Sequence, residues 1–575
     1  MKSPYCFIGL VFLLTAGCQP SIPRSFIAVN VVGYEVGQPK QAFLANARAE
    51  RFEILNVDNL NVVYTHLTGT PEAPDAATGD QITPIDFTSF NEPGTYKIRV
   101  NGREHITSAS FNIERNVYGR GLNTILNSYY YHRCGARVAN GTEWGYRQCH
   151  LHDAPFYANK AQYRDVTGGW HDAGDYNKFS VNTSLSAGLL LYAYDSNPEH
   201  YGDRQLNIPE AGNEIPDILD EAVWALNWLL KMQRPDGAVY HKVSQKKWIG
   251  EFLPHNDPST RYLFETSSAA TASFAAVSAL AARLLTEYDP GRSEQLSAAS
   301  RKAWKYLEDH PDDQPVGGFQ NPPDVYGGEY GDRSDLDERI WASAELYKLT
   351  GQADYVHYFM QNYHKMNLEH RPPISWRDVQ SLALHAFMSS DTKGKYAGHK
   401  KEIRETGIRH AESILAVREN NNYKNLITED QYYWGSNSVG LAYAFELLQS
   451  YELTDRVKYR DAALDQLHYV LGRNPFGISQ VTGIGSVSVQ HPYHQLSEKD
   501  KVLPPVPGML VGGPNSKRLL QEVLISDYPG KNYEDRFKNY LVNEPAVNYT
   551  AMLAYVVGAF AVPTSQTNNI THTNN

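Results

Sequence analysis

Between residues 27 and 113 apolar and polar positions alternate in short runs, FIAVNVVGY, QAFLAN, RFEILNV, NVVYTHL and GTYKIRV, the last ahead of an Asn101-Gly102 turn. A period of two sends successive side chains to opposite faces of a strand, so these runs predict a small antiparallel β-sandwich. The stretch holds no acidic pair and no histidine cluster, which makes it a module that props or orients its neighbour, or one that binds on its own account. From about residue 115 the period becomes helical. In IPDILDEAVWALNWLLKMQ the residues Ile218, Leu219, Ala222, Leu226, Leu229 and Leu230 share one stripe, Pro216 suits a first helical turn and Gly237 follows the end. SAATASFAAVSALAARLLTEY, DERIWASAELYKL, GIRHAESILAV, SVGLAYAFELLQSY, RDAALDQLHYVLG and PAVNYTAMLAYVVGAFAV read the same way, separated by long loops rich in Gly, Pro and Asn. At ordinary helix lengths about a dozen helices fit this span. Paired helices in that number, with functional loops gathered at one end, predict a closed α/α barrel rather than a parallel βαβ sheet.

The two ends of the chain read differently. MKSPYCFIGLVFLLTAGC begins with a Lys, continues in an apolar run from Tyr5 to Leu14 and ends in small residues before Cys18. It is too short to span a bilayer and reads as an export signal. Leu14-Thr15-Ala16-Gly17-Cys18 resembles a bacterial lipobox, in which Cys18 becomes the acylated first residue and attaches the chain to a membrane; the plain alternative is a short core helix with a chance Cys. Gln19 rather than Asp after the Cys points to an exported lipoprotein of the outer membrane or cell surface, with the periplasm as the alternative. The expected organisation is a signal peptide over 1–17, a linker over 18–26, the sandwich over 27–113, the barrel over 114–563 and a disordered polar tail over 564–575, the whole acting as a monomer.

Composition narrows the functions. A chain of 575 residues exceeds one ordinary core. Lys and Arg number 53 against 64 Asp and Glu, and the net charge of −11 repels phosphate backbones, so nucleic acid is excluded as a partner. The 39 Tyr and 9 Trp suit stacking on sugar rings as well as an ordinary large core. With Cys6 in the signal and Cys18 taken by lipid, Cys134 and Cys149 remain, to form a disulfide or share a metal.

Three groups of residues carry candidate chemistry. In GGWHDAGDYNKF, residues 168–179, Asp172 and Asp175 lie three apart in a Gly-containing loop, so both carboxylates can face one cleft. Such pairs hold and activate a water, and from spacing alone they equally cap a helix or bind calcium. Far downstream Glu544 precedes Pro545 and a helix; alone it is a cap or dipole partner, and across a cleft from another carboxylate it is a general acid. Cys134, Cys149, His150 and His171 read as a tetrahedral zinc set, with a Cys134–Cys149 disulfide as the alternative; with all four positions filled such a metal site is structural.

These residues, in order with VNVVGY, NIPEAGNEIPDILDEAVW, GAVYHKV, SSAATASFAAV, LHYVLGRNPFGISQVTGIG, PGMLVGGPN and NYLVNEPAVNYTA, resemble glycoside hydrolase family nine, the group containing many cellulases, and especially its members with an N-terminal immunoglobulin-like module. The resemblance runs through most of residues 27–562. It implies an (α/α)6 barrel behind an all-β immunoglobulin-like sandwich, and inversion at the anomeric carbon, with Asp175 as base, Asp172 positioning the water and Glu544 as acid. It also implies a structural zinc rather than a disulfide at Cys134, Cys149, His150 and His171, with His152 as a substitute ligand. In EYGDRSDLDERIW it implies calcium at Asp332, Asp337 and Glu338, against the plainer reading of a solvated acidic loop that caps a helix at Asp337. Trp376 in PISWRDV, Trp434 in YYWGSNS and Tyr540 fall in family-like blocks and either stack on pyranose faces or pack in the core.

One departure stands out. Family members commonly carry Pro-His-His-Arg shortly after the VTGIG-like block, and the first His and the Arg contact sugar. Here Pro492-Tyr493-His494-Gln495 follows at the usual spacing, so Tyr493 and Gln495 are expected at the sugar-contact positions with altered hydrogen bonding. The leading expectation is an endo-β-1,4-glucanase on cellulose, mixed-linkage glucan or a related β-linked polysaccharide. The alternatives are an exo-acting β-glucosidase or β-glucosaminidase on oligosaccharides, and a non-catalytic glycan-binding lipoprotein.

Overall fold

The computed structural model describes residues 24–101, 105–517 and 524–562. The expected signal peptide, Cys18 and the expected tail lie outside the described residues.

Two sheets form the N-terminal sandwich. Phe26–Ala28, Gln41–Ala45 and Ile82–Asp86 pair antiparallel. Facing them is a sheet ordered Gly33–Glu35, Phe111–Glu114, Gly94–Asn101, Arg51–Asn56, Val62–Leu67, with His105–Thr107 added to Gly94–Asn101. Alternate residues Tyr96, Ile98 and Val100 point into the shared core with Phe52, Ile54, Phe111 and Ile113, which is the period the sequence carries. The sandwich is not wholly antiparallel as expected: Gly33–Glu35 runs parallel to Phe111–Glu114. The first segment crosses from one sheet to the other at residues 29–32 and docks beside the last strand. Gly33 makes that docking possible, with a φ of +141° and a backbone so close that a Cβ would meet the Asn112 carbonyl oxygen at 2.3 Å.

Gln41–Ala45 is buried on both faces. Ala42 and Leu44 enter the sandwich core, whereas Phe43 and Ala45 pack on the helical domain. Phe43 meets Tyr423 edge to face at 6.0 Å and lies 4.8 Å beneath the Arg473 guanidinium. Buried Asp80 adds a polar joint between the domains, accepting hydrogen bonds from Tyr423 and Lys531.

Among the described residues, twelve longer helices build six pairs. The inner ring is Ser180–Ser196, Ser268–Leu285, Leu336–Thr350, Gln380–Met388, Ser436–Thr454 and Val547–Gly558. The outer helices are Gly119–Ser128, Asp217–Met232, Pro290–Asp309, Ala353–Asn362, Ala397–Glu419 and Val457–Val470. This is the (α/α)6 barrel. Outer helix Asp217–Met232 carries the clean apolar stripe read from the sequence, while inner helices are buried nearly all round. Ser268–Leu285 is long and apolar enough to cross a membrane, yet 89% of it is buried in the ring. Polar contacts stitch neighbours together: Trp341 and Glu345 bond Tyr192, Gln449 bonds His385 and Tyr555, and Asn182 bonds Asn548, which links the first inner helix to the last.

The loops that enter the inner helices hold most of the candidate residues: 168–179 before Ser180, 317–335 before Leu336, Trp376 before Gln380, Trp434 before Ser436 and Glu544 before Val547. Because these loops line one cavity, the inner helices run in one direction and present their N-termini to it.

Candidate active site

The Asp172–Asp175 loop is held mainly by its backbone. Asp172 N–H bonds Asn177 O at 2.9 Å, and His171 N–H bonds His132 O at 2.7 Å. Gly174 is the tight point, since a methyl group there would sit 1.9 Å from the carbonyl oxygen of Tyr493. Gln495 N–H donates to Gly174 O at 2.9 Å and Tyr493 N–H to Asn543 O at 2.8 Å, while Val547 N–H donates to Asp172 O at 2.9 Å. Three segments far apart in sequence are thus joined main chain to main chain, and they bring Asp172, Asp175 and Glu544 to one cavity.

Each carboxylate has a different environment. Asp172 is buried and accepts hydrogen bonds from Asn182 Nδ2 and the Tyr330 hydroxyl, both at 2.7 Å. Burial outweighs those bonds and pushes its carboxyl up to about 7. Asp175 accepts from the Asn177 backbone at 3.1 Å and the Asn177 amide at 2.6 Å. Burial raises it too, with the Asn177 bonds and the charge of Arg261 pulling the other way. Glu544 is raised well above the ordinary carboxylate range, first by burial and then by the charges of Asp175 and Asp172. Only a partial offset comes from the Gly174 backbone. Both carboxyls are thus shifted upward, Glu544 by burial and two neighbouring acids, Asp175 against two opposing hydrogen bonds from Asn177.

The cavity has two adjoining lobes of about 640 and 750 Å³ that meet at Ala173, Gly328, Tyr330, Trp434 and Glu544. Rings line its sides. Trp434, Tyr540, Tyr493 and Phe537 follow one another at centroid spacings of 5.6, 5.6 and 5.1 Å. Phe179, Tyr330 and Trp376 follow at 4.1 and 4.9 Å. Trp376, Trp434, Tyr493 and Tyr540 all reach the cavity, as expected for sugar contacts. Gln495 does not: it is 3% exposed, and its amide oxygen accepts from the Phe252 backbone. Its place in the motif set the register, but the turn into the short helix Gln495–Lys499 aims the side chain inward. Sequence reasoning missed Trp248 and Tyr326, which project into the first lobe at 55% and 71% exposure. An exposed Trp between Lys247 and Ile249 was the available signal. It also missed Asp535, which accepts the N–H groups of Gln490 and His491 and the amide of Asn543 and so fixes the approach to Glu544.

Cys134, Cys149, His150 and His171 converge beneath this loop, their ligand atoms all within 4.8 Å of one another. Both cysteines are free thiols rather than a disulfide. Cys134 Sγ lies 3.6 Å from His150 Nδ1, Cys149 Sγ 3.7 Å from His171 Nε2, and the two histidine nitrogens are 3.4 Å apart. Tetrahedral zinc with Zn–S of about 2.3 Å and Zn–N of about 2.05 Å requires roughly 3.6 Å for S···N and roughly 3.4 Å for N···N. The donor set fits. Asp257 bonds His150 Nε2 at 3.3 Å and Arg261 approaches Cys134 Sγ at 3.2 Å, the outer-shell support expected of a metal site. His152 is exposed and outside the set.

Asp332, Asp337 and Glu338 also gather, at the start of helix Leu336–Thr350. They are not a solvated loop: Glu338 is fully buried with both carboxylate oxygens lacking any hydrogen bond, as does Asp332 Oδ2. Burial and mutual repulsion push Asp332 up to about 7 and Glu338 well above its usual range. Asp378, missed in the sequence, joins them and is raised to about 8 by burial and then by Asp337. Such a concentration of oxygens suits a hard cation.

Replacing Gly174 by Ala forces the Tyr493 carbonyl away from the loop. The expected outcome is a loss of activity on a β-glucan of about 10²-fold or more with a lowered Tm, since misplacement near 1 Å costs that much; wild-type kinetics would contradict the assignment.

Residues 118–557 match the profile of glycosyl hydrolase family 9, and residues 23–105 that of the cellulase N-terminal Ig-like domain. Endoglucanase D of Acetivibrio thermocellus is 33% identical over 559 residues, covering 95% of this chain and 85% of that protein. A metagenome-derived family 9 endoglucanase superposes with a TM-score of 0.88 at 35% identity, covering 93% of this chain and 99% of the other. A zinc-binding triple mutant of the family 9 endoglucanase J30 gives 0.83 at 33% identity, covering 92% and 100%. The chain belongs to glycosyl hydrolase family 9 and is a glycoside hydrolase built from an Ig-like domain and an (α/α)6 barrel.

Proposed function

We propose that the protein is an inverting endo-β-1,4-glucanase. The observation that carries this reading is the placement of Glu544, raised well above the ordinary carboxylate range, at the junction of two cavity lobes, with Asp175 and its two Asn177 hydrogen bonds lining the first of them. Lobes that meet at Glu544 leave room for sugar on both sides of the cleaved bond, which favours internal cutting over trimming of ends. Glu544 gives its proton to the glycosidic oxygen as the bond from that oxygen to the anomeric carbon breaks. A water, held by Asp175 and Asp172, loses a proton to Asp175 and bonds the anomeric carbon from the opposite face. Asn182 and Tyr330 fix Asp172, so its role is to orient the water.

Glu544→Gln is expected to slow hydrolysis of β-glucan about 10²–10⁴-fold yet spare aryl β-cellobiosides whose leaving group needs no proton, whereas Asp175→Asn slows both alike. The product is read by NMR as the α-anomer, and a fall in viscosity that outpaces release of reducing ends marks internal cleavage. Retention of configuration sinks the mechanism. The rate should rise as Asp175 ionises and fall as Glu544 loses its proton. Stability follows the same groups with a definite sign. Their folded values lie above the unfolded ones near 4, so the stability they contribute is complete below that pH and is lost as pH rises through the folded values. Glu544→Gln should accordingly raise Tm at neutral pH while lowering activity.

The Cys134, Cys149, His150 and His171 set is assigned to structural zinc, which supplies cross-linking of the catalytic loop and no step in hydrolysis. Asp332, Asp337 and Glu338, with Asp378, are assigned to calcium. Metal analysis of the purified protein should return one zinc per chain, and Cys149→Ala should abolish it and lower Tm. Calcium should raise Tm in wild type and leave Glu338→Gln unmoved; an equal response in both removes the calcium assignment.

The lipobox-like Leu14–Cys18 sequence supports an acylated Cys18 that holds the enzyme at the outer membrane or cell surface. Cys18→Ser should move the protein from the membrane fraction to the soluble one, and an unchanged distribution rejects the anchor.

A further inference from the structure

Behind the second cleft lobe lies a separate cavity of about 280 Å³. Pro372 and Pro373 line both spaces and form the wall between them. The outer helix Ala397–Glu419 contributes His410, Ser413, Ile414 and Val417 to the lining, which also includes Arg371 and Tyr443.

Gln431, Tyr443, Thr428 and Ser413 in its lining are hydrogen-bonded, whereas three buried polar atoms are not. His410 is 5% exposed and neither ring nitrogen makes a hydrogen bond; the carbonyl of Glu369 lies near the ring without reaching hydrogen-bond geometry. Arg371 is 8% exposed, and its Nη2 is also without a partner. The rest of that guanidinium is anchored: Nη1 donates to Glu446 at 3.1 Å and Nε to Leu368 O at 3.2 Å. Gly407 lets the helix come close, because a Cβ there would meet Nη2 at 3.2 Å. Buried donors and acceptors left unpaired are rare in native structures, and three around one cavity call for an occupant.

The chemistry of that occupant follows from the donor set. Glu446 neutralises Arg371, and burial keeps His410 uncharged, so its ring offers one donor and one acceptor. An anion would pair with Arg371 but leave the acceptor nitrogen facing negative charge. Hydroxyl groups both donate and accept, and satisfy all three atoms. The volume is several times the roughly 30 Å³ of one water and close to the lower limit of about 300 Å³ for small-molecule pockets, which suits a single ring rather than a chain. Ile414, Val417, Leu426 and Tyr443 supply apolar surface for the C–H faces of that ring.

We propose that this cavity is a second saccharide site, taking one hexopyranose unit of a neutral mono- or oligosaccharide on the far side of the Pro372-Pro373 wall from the cleft. The site does not depend on which glucan the cleft cuts.

The test titrates full-length Glu544→Gln, in which oligosaccharide persists, with cellobiose by calorimetry and NMR, and soaks its crystals with the same sugar. Two binding events are expected, with a sugar ring in density against His410 and Arg371. Adding His410→Phe should weaken one event at least about tenfold and leave the other in place. Ser413→Trp, made from an exposed position at the cavity mouth, should do the same with the interior residues intact. A single event that neither substitution alters overturns the proposal. So does density for water alone, or for phosphate that cellobiose fails to displace.

Discussion

The contact on which the rest of the cleft depends is the one between the backbone of Gly174 and that of Tyr493. With no Cβ in the way, the Tyr493 carbonyl seats against the loop, and Gln495 can bond the Gly174 carbonyl. The same strand of chain reaches Asn543, and Val547 returns to Asp172. Carboxylates drawn from distant parts of the sequence are therefore spaced by peptide geometry, which varies less than side-chain rotamers do. That is how a wide, aromatic-walled cleft keeps three carboxylates in register without a rigid polar cage around each of them.

Both dense groups of acids stand where inner helices begin. The partial positive charge at a helix N-terminus offsets part of the repulsion. What remains is handled in two ways. Around Asp172 and Asp175, donors from Asn182, Tyr330 and Asn177 satisfy the carboxylates, while Glu544 is raised well above the ordinary range by burial and by their charges. Around Glu338, Val379 and Ser334 donate to Asp337 and Asp332, but among the described residues both Glu338 oxygens and Asp332 Oδ2 stay without a donor. The thiol and imidazole set beneath the catalytic loop completes the contrast, with ligands already at tetrahedral spacing.

How much the sequence disclosed depended on whether a feature was local. Alternation in GTYKIRV and the stripe of Asp217–Met232 marked a half-buried strand and a half-buried helix, because each faces water on one side. Gln41–Ala45 and the inner helices face protein on both sides, so their patterns give the element but not its neighbours. The parallel pairing of Gly33–Glu35 left no local trace at all. In the site, Asp172 and Asp175 were visible because one loop carries both, and the ligand set because its members cluster within 38 residues of chain, from Cys134 to His171. Asp378, Asp535 and Trp248 reach their partners only through the tertiary fold. Gln495 misled for the opposite reason: a motif fixes a position along the chain and says nothing of the direction in which the side chain leaves it.

Residue 493 seats its carbonyl against Gly174 and bonds Asn543 through its N–H, while its ring edge borders Gly174 and stands against Phe537 and Tyr540 on the cleft wall. The phenol ring lines the cavity, and the hydrogen bonds that space the carboxylates run through the peptide groups on either side of it. The lining of the cleft and the spacing of the carboxylates thus draw on different atoms of one residue, the ring for the first and the peptide backbone for the second.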